Sequence, residues 1–204
     1  MMTLVLDRSS EPQSMALEED GAIVAAETLE GTGPRSGGWA LRAREFLGGR
    51  RPGRIVCGTG PGSFAGIRAS LAFAQGWALG AGCEVLGLPS PCACSRDEGP
   101  LAVAGDARRG MFWLALFDGR RLVRPVFLTS AAEIHACVPQ SADVVSPDGR
   151  RIGDFLAETF AERYLPEGGA PSAKGLAEAY LARPELLVRE PLPIYLNPAV
   201  RTDR

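Results

Sequence analysis

Short apolar runs that stop at an aspartate, each followed by an alternating hairpin pattern, occur twice in this chain. Positions 3–6 read as a strand ending at Asp7, and 15–17 pair with 22–26 across Glu19-Asp20-Gly21, where Asp-Gly supplies the positive φ of a tight hairpin. The same order returns at the midpoint. Positions 101–105 read as a strand ending at Asp106, and 111–117 turn through Asp118-Gly119 into 122–127. Two mixed α/β lobes follow, which pattern alone assigns only to the α/β class.

Between the two halves, Arg54-Ile55-Val56-Cys57 predicts a short strand, and Gly58, Gly60 and Gly62 allow the tight turn behind it, with Pro61 fixing its own φ. Ser63 is placed to cap a helix over Phe64–Ala81, about 27 Å long at 1.5 Å per residue. Ile67, Leu71, Ala74 and Ala78 form one apolar stripe, enough to dock on a sheet. Gly66, Ser70, Phe73 and Trp77 form a second, with small residues at one end and aromatics at the other. Either the chain's own core or the helix of a partner could cover it.

Further along, 88–99 reads as a linker rich in Pro, Ser, Cys and charge, dividing lobes at 1–90 and 100–204. Helical patterns follow at 131–138, 152–160 and 172–181, separated by turn signals at Pro147-Asp148-Gly149 and Gly168-Gly169.

The 204 residues are 46% hydrophobic with a net charge of -2 and a sequence pI near 5.6. That is enough chain for a real core, and too little positive charge for a self-sufficient RNA binder. Arginine pairs at Arg50-Arg51, Arg108-Arg109, Arg120-Arg121 and Arg150-Arg151 lie beside turns or strand ends and read as solvated loops. No apolar run reaches the length of a membrane span, and the start lacks a signal-peptide pattern, so a cytoplasmic location is expected. Five cysteines fit reduced thiols, and Cys92-Ala93-Cys94 has neither a second pair nor a histidine nearby to make a zinc site.

Anion binding at the glycine loop is a weak signal. A Walker loop ends in Gly-Lys-Ser/Thr, whereas this one reads Ala65-Gly66-Ile67-Arg68, and no suitably spaced acid completes a dinucleotide fingerprint. The lone histidine, His135, stands in a helical pattern with no nucleophile elbow elsewhere, so no catalytic residue and no metal site are expected. Asp7 and Asp106 end their strands beside Arg8 and Arg108, and each arginine is expected to neutralise its neighbour.

Gly60-Pro61-Gly62-Ser63-Phe64-Ala65-Gly66-Ile67-Arg68 is similar to the Gly-Pro-Gly-Ser-Phe-Thr-Gly-Leu-Arg of the TsaB (YeaZ-like) family, accessory subunits of bacterial tRNA threonylcarbamoyladenosine synthesis. Leu4-Val5-Leu6-Asp7, Gly105-Asp106-Ala107-Arg108-Arg109-Gly110 and Pro193-Ile194-Tyr195-Leu196-Asn197-Pro198-Ala199-Val200 extend the resemblance over nearly the whole chain. It implies a duplicated ribonuclease-H-like fold, as in the actin, sugar kinase and Hsp70 superfamily, with a reduced second lobe. It also implies a non-catalytic scaffold or activator that binds a TsaD-type catalytic subunit, with a TsaE-type ATPase in the same complex and tRNA contacted only indirectly. A homodimer is expected when the partner is absent.

On that resemblance the partner-binding residues are Gly62, Ser63, Phe64, Gly66, Arg68, Ser70, Phe73 and Trp77. A vestigial phosphate site would comprise Asp7, Ser9, Ser10 and Asp106. The chain alone requires no cofactor, and ATP or ADP would sit at the joint interface. Arg8 and Ala65 depart from the family's small hydroxyls. The alternatives are a stand-alone ATPase or small-molecule kinase of the same fold, for which a second phosphate loop is missing, and a glycoprotease-like peptidase, disfavoured by the histidine count.

Overall fold

The computed structural model describes residues 1–29 and 38–196. Residues 30–37 of the glycine-rich stretch, and Asn197-Pro198-Ala199-Val200 of the last motif, lie outside the described residues. Contacts divide the chain into one unit of Met1–Ser95 with Ala170–Pro193 and another of Arg96–Gly169 with the described residues from Ile194.

The first unit is built on a six-stranded sheet of order β10-β5-β4-β1-β2-β3. Its strands are β1 (Met2–Asp7), β2 (Gln13–Glu19), β3 (Ala22–Leu29), β4 (Arg54–Gly58), β5 (Glu84–Leu88) and β10 (Val188–Arg189). β1 runs antiparallel to β2, with Val5 opposite Ala16, and parallel to β4, with Leu6 opposite Cys57. Alternation decides what covers each face. Leu4, Leu6, Met15 and Leu17 point to one side, where α1 (Gly38–Leu47) and α2 (Phe64–Ala81) bury Trp39, Leu47, Ile67 and Leu71 against them.

Thr3, Val5 and Asp7 of β1, with Ser14, Ala16 and Glu18 of β2, point to the other side. These are smaller and more polar, and the helix over them, α5 (Ala173–Ala182), is correspondingly rich in Ala and Gly. It is held by polar bonds: Ser14 Oγ accepts the Ala173 N–H at 2.8 Å, and Tyr180 Oη donates to Glu18 at 3.0 Å. The C-terminal segment therefore returns to the first unit, which a division at 1–90 and 100–204 does not include.

The second unit repeats the topology in shortened form. Its sheet has the order β8-β7-β6-β9, from β6 (Pro100–Arg108), β7 (Met111–Asp118), β8 (Arg121–Ser130) and β9 (Asp143–Val145). An antiparallel three-strand meander followed by a parallel strand beside its first member is the arrangement of β1 to β4, now without a fifth strand. Short α3 (Ile134–Cys137) and α4 (Gly149–Phe160) complete a core around Leu114, Ile134, Leu156 and Phe160. The chain thus has the duplicated ribonuclease-H-like α/β fold with a reduced second lobe.

Two expectations need correction. The 88–99 stretch is not a free linker: Ser90–Cys94 forms a 3-10 turn with Ser90, Pro91 and Cys92 buried. Its small side chains let α5 approach, and a β-carbon at Gly175 would collide with the Ala93 carbonyl. The helix expected at 131–138 shrinks to α3, because Pro139 stops it and residues 131–133 form a turn. Among the described residues no helix is long and apolar enough to cross a membrane.

Candidate functional site

The glycine loop between β4 and α2 is shaped by its own neighbours. Gly60 and Gly62 have φ of +87° and +153°, a region open to glycine. A β-carbon at Gly62 would collide with the Ser9 carbonyl, and one at Gly66 with the Arg8 carbonyl, so the loop lies flat on the β1–β2 turn. Two of its donors are spent within the fold: Ser63 N–H donates to Ser9 O at 2.7 Å, and Gly66 N–H donates to the capping Ser63 Oγ at 3.2 Å. These N–H groups are directed at the protein itself, where a phosphate cradle would aim them outward.

Asp7 closes the same region. Its Oδ1 accepts from Ser9 N at 2.9 Å and Ser9 Oγ at 2.7 Å, and its Oδ2 accepts from Ser90 Oγ at 2.7 Å. Ser90 Oγ in turn accepts the Gly60 N–H at 3.0 Å. Any side chain at Gly58 would strike the carboxylate. Burial pushes the Asp7 carboxyl above its ordinary range, against the lowering effect of its three hydrogen bonds. Ser10, the other hydroxyl of the expected phosphate site, has a buried Oγ without a partner.

Arg8 does not neutralise Asp7, contrary to the sequence reading. Its Nε donates to Gln13 Oε1 at 2.6 Å, and its guanidinium lies over Trp39 at 4.5 Å from the ring centroid. Desolvation lowers its pKa. Asp106, at the equivalent place in the second unit, does meet its neighbour, with Arg108 at 3.3 Å and Arg151 at 3.2 Å.

On α2 the first stripe faces the sheet as expected, with Ile67, Leu71 and Ala74 buried. The second is also turned inward. Gly66 and Ser70 are buried, Ser70 Oγ donating to Ile67 O at 2.9 Å, and neither can meet a partner. Phe73 stacks edge-on with Trp39 of α1 at 5.2 Å, and Trp77 lies 5.7 Å from Phe73, both half-buried against the first unit's core. The reason is α1, whose indole fills the space that the aromatics border.

Of the expected partner-binding residues, Gly62, Phe64 and Arg68 are exposed and Ser63 is half-buried as the cap. Arg68 lies over the Phe64 ring at 3.8 Å. The face that points away from the sheet is a third one, missed by sequence reasoning. Ala65, Ala69, Ala72, Gly76 and Leu79 succeed one another at spacings of four and three, from half-buried Ala65 to Leu79 at 91% exposure. β-Carbons at Gly76 and Gly80 would meet nothing. The 4-3-4-3 spacing was the signal that could have found it.

Catalytic groups do not gather here. His135 is exposed on α3 with its ring stacked on Phe160 at 5.9 Å, and among the described residues no cluster of His, Cys, Asp or Glu could hold a metal. Burial raises the pKa of the Cys57 and Cys94 thiols and pushes that of Cys92 up to about 12, opposite to what a nucleophile requires.

No family model matches the sequence. Uncharacterized proteins of Mycobacterium tuberculosis and Mycobacterium bovis are 36% identical over 87 residues, a match spanning 39% of this chain and 38% of each relative. Two solved structures from Pseudomonas aeruginosa align over nearly everything. YeaZ covers 95% of this chain and 100% of its own at 21% identity and a TM-score of 0.73. An uncharacterized protein with similarity to peptidase YeaZ covers 96% and 99% at 24% identity and a TM-score of 0.74. From its first strand to its last, the chain therefore has the fold of YeaZ.

Proposed function

We propose that this protein is a non-catalytic accessory subunit of the TsaB type, which docks a TsaD-type catalytic subunit through the outward face of α2 and supports threonylcarbamoyl transfer to tRNA adenosine. The outward stripe of Ala65, Ala69, Ala72, Gly76 and Leu79 carries this reading. A glycine inside a helix costs about 1 kcal/mol relative to alanine, and Gly76 and Gly80 have no internal neighbour that requires the missing β-carbon. A small-residue face does have a use when another helix must come close. Leu79 supplies an apolar anchor and Arg68 a rim charge.

The occupied loop donors and the sealed Asp7 support a role without chemistry of its own. ATP or ADP belongs in this account only at the joint surface, beside a TsaE-type ATPase. The same face pairs two copies when the catalytic subunit is absent. An interface of about 800 Å² per partner is the ordinary size for such a contact. Co-purification with a TsaD-type protein tests the reading: the wild-type chain retains it and Leu79→Asp releases it. Retention by the variant contradicts the assignment.

A further inference from the structure

The segment that follows β10 closes a pocket against α2. β10 runs antiparallel to β5, with Val188 opposite Gly87 and Arg189 opposite Leu86, so the chain leaves the ladder beside Val85. Pro191 then lies on Gly87, where a β-carbon would collide with its ring. Val85, Pro191 and Leu192 give a pocket of about 270 Å³ its apolar lining, and Gln75 of α2 and Glu190 bring the polar groups. Neither of those two side chains has a hydrogen bond or ion pair among the described residues.

Alternation along the strands leaves Glu190 as the pocket's one charge. Glu84 and Leu86 point to the opposite face from Val85, and Arg189, opposite Leu86, points with them. There Glu84 meets Arg189 at 3.6 Å and Arg54 at 3.2 Å. Both arginines are thus engaged across the sheet from Glu190. The backbone is the second observation. Glu190 has a φ of +54°, where a β-carbon is disfavoured, and it precedes a proline, which restricts it further. Glycine would turn the chain onto Gly87 without that strain, so what glutamate adds is its carboxylate.

We infer that this pocket receives a basic side chain presented by a protein surface, its methylenes along Val85 and Leu192 and its cationic head on Glu190, with Gln75 Oε1 as a second acceptor. The volume lies below the ~300–1,000 Å³ of small-molecule and cofactor sites and suits a single long side chain. Leu79, one turn beyond Gln75 on α2, is 91% exposed, and Leu192 is 77% exposed. Large apolar residues left open beside polar groups mark protein contacts. The inference rests on the α2 reading for where the partner lies, and on the lining alone for the charge that the partner brings.

Nα-Acetyl-lysine N-methylamide is the probe, titrated into the full-length chain at low salt while the NMR signals of the Gln75 carboxamide and the Val85 methyls are followed. They should saturate with a Kd of about 1–10 mM. The norleucine analogue, which has the stem without the charge, should bind about two- to fivefold more weakly. Glu190→Gln should bring the lysine probe down to the norleucine level, and Glu190→Gly should do the same while the melting temperature holds or rises. Against the TsaD-type subunit, Glu190→Gln should weaken binding by a similar factor of about two to five. Four results overturn the inference: no saturable shift, equal binding of the lysine and norleucine probes, unchanged lysine binding by Glu190→Gln, or unchanged affinity of that variant for a TsaD-type subunit that Leu79→Asp releases. Retention of the subunit by Leu79→Asp instead contradicts the α2 reading and leaves the probe result intact, because Leu79 is outside the lining.

Discussion

Ser90 donates a hydrogen bond of 2.7 Å to the Asp7 carboxylate across 83 positions of sequence, and through it the 3-10 turn, β1 and the glycine loop become one polar knot. Both oxygens of the Asp7 carboxylate are met by serines, Ser9 on one and Ser90 on the other.

Removing that hydroxyl is the direct measure of the knot. Ser90→Ala leaves Asp7 Oδ2 and the Gly60 N–H without this partner inside the fold. A loss of about 1–3 kcal/mol is expected for the exposed deficit, read from urea unfolding. An unchanged midpoint would mean that water replaces the serine freely.

Asp7 also sets a pH dependence. Burial raises its folded pKa above the unfolded value, so between the two values the folded state holds the extra proton. Its contribution is full below the unfolded pKa and is lost as pH rises through the folded one. Stability of the wild type should therefore decline with increasing pH across that window relative to Asp7→Asn, compared as urea midpoints. Parallel profiles would show that the hydrogen bonds offset burial completely.

Gly66 and Gly76 share one helix and should respond oppositely to alanine. At Gly66 the β-carbon would collide with the Arg8 carbonyl, and an overpacking loss of about 1–3 kcal/mol follows. At Gly76 it meets open space, and helix propensity predicts a gain of about 1 kcal/mol. Thermal melts of the two variants check the pair.

Tyr180→Phe tests the return of α5. Glu18 would keep the Gly21 N–H at 2.6 Å but lose the phenol, leaving a buried carboxylate under-satisfied at a cost of about 1–3 kcal/mol. Unfolding with no loss would show that α5 is held by its apolar contacts alone.

Much of this architecture is legible along the chain because local signals agree with one another. Ser63, the loop glycines and the apolar run specify α2 before any tertiary contact exists, and Asp-Gly dictates the hairpins. What stays hidden depends on distant neighbours. β5 follows α2 so closely that its apolar residues extend the helical pattern, and β9 is three residues long. Ser90 and the cysteines after it have the composition of a loop, yet they pack beneath α5, which arrives much later in sequence. The second stripe of α2 shows that something covers it without saying what. Trp39 does, and the surface left exposed is the small-residue face that composition makes inconspicuous.

The outward face of α2 is the central claim, and a titration of the TsaD-type subunit against three chains measures it most directly. Ala72→Asp and Leu79→Asp should lower affinity by roughly 100-fold or more with unchanged melting, as expected for hot-spot positions. Trp77→Asp should lower the melting temperature itself, because its ring belongs to the aromatic contact with Phe73. Wild-type affinity in both the Ala72 and the Leu79 variants would contradict the account.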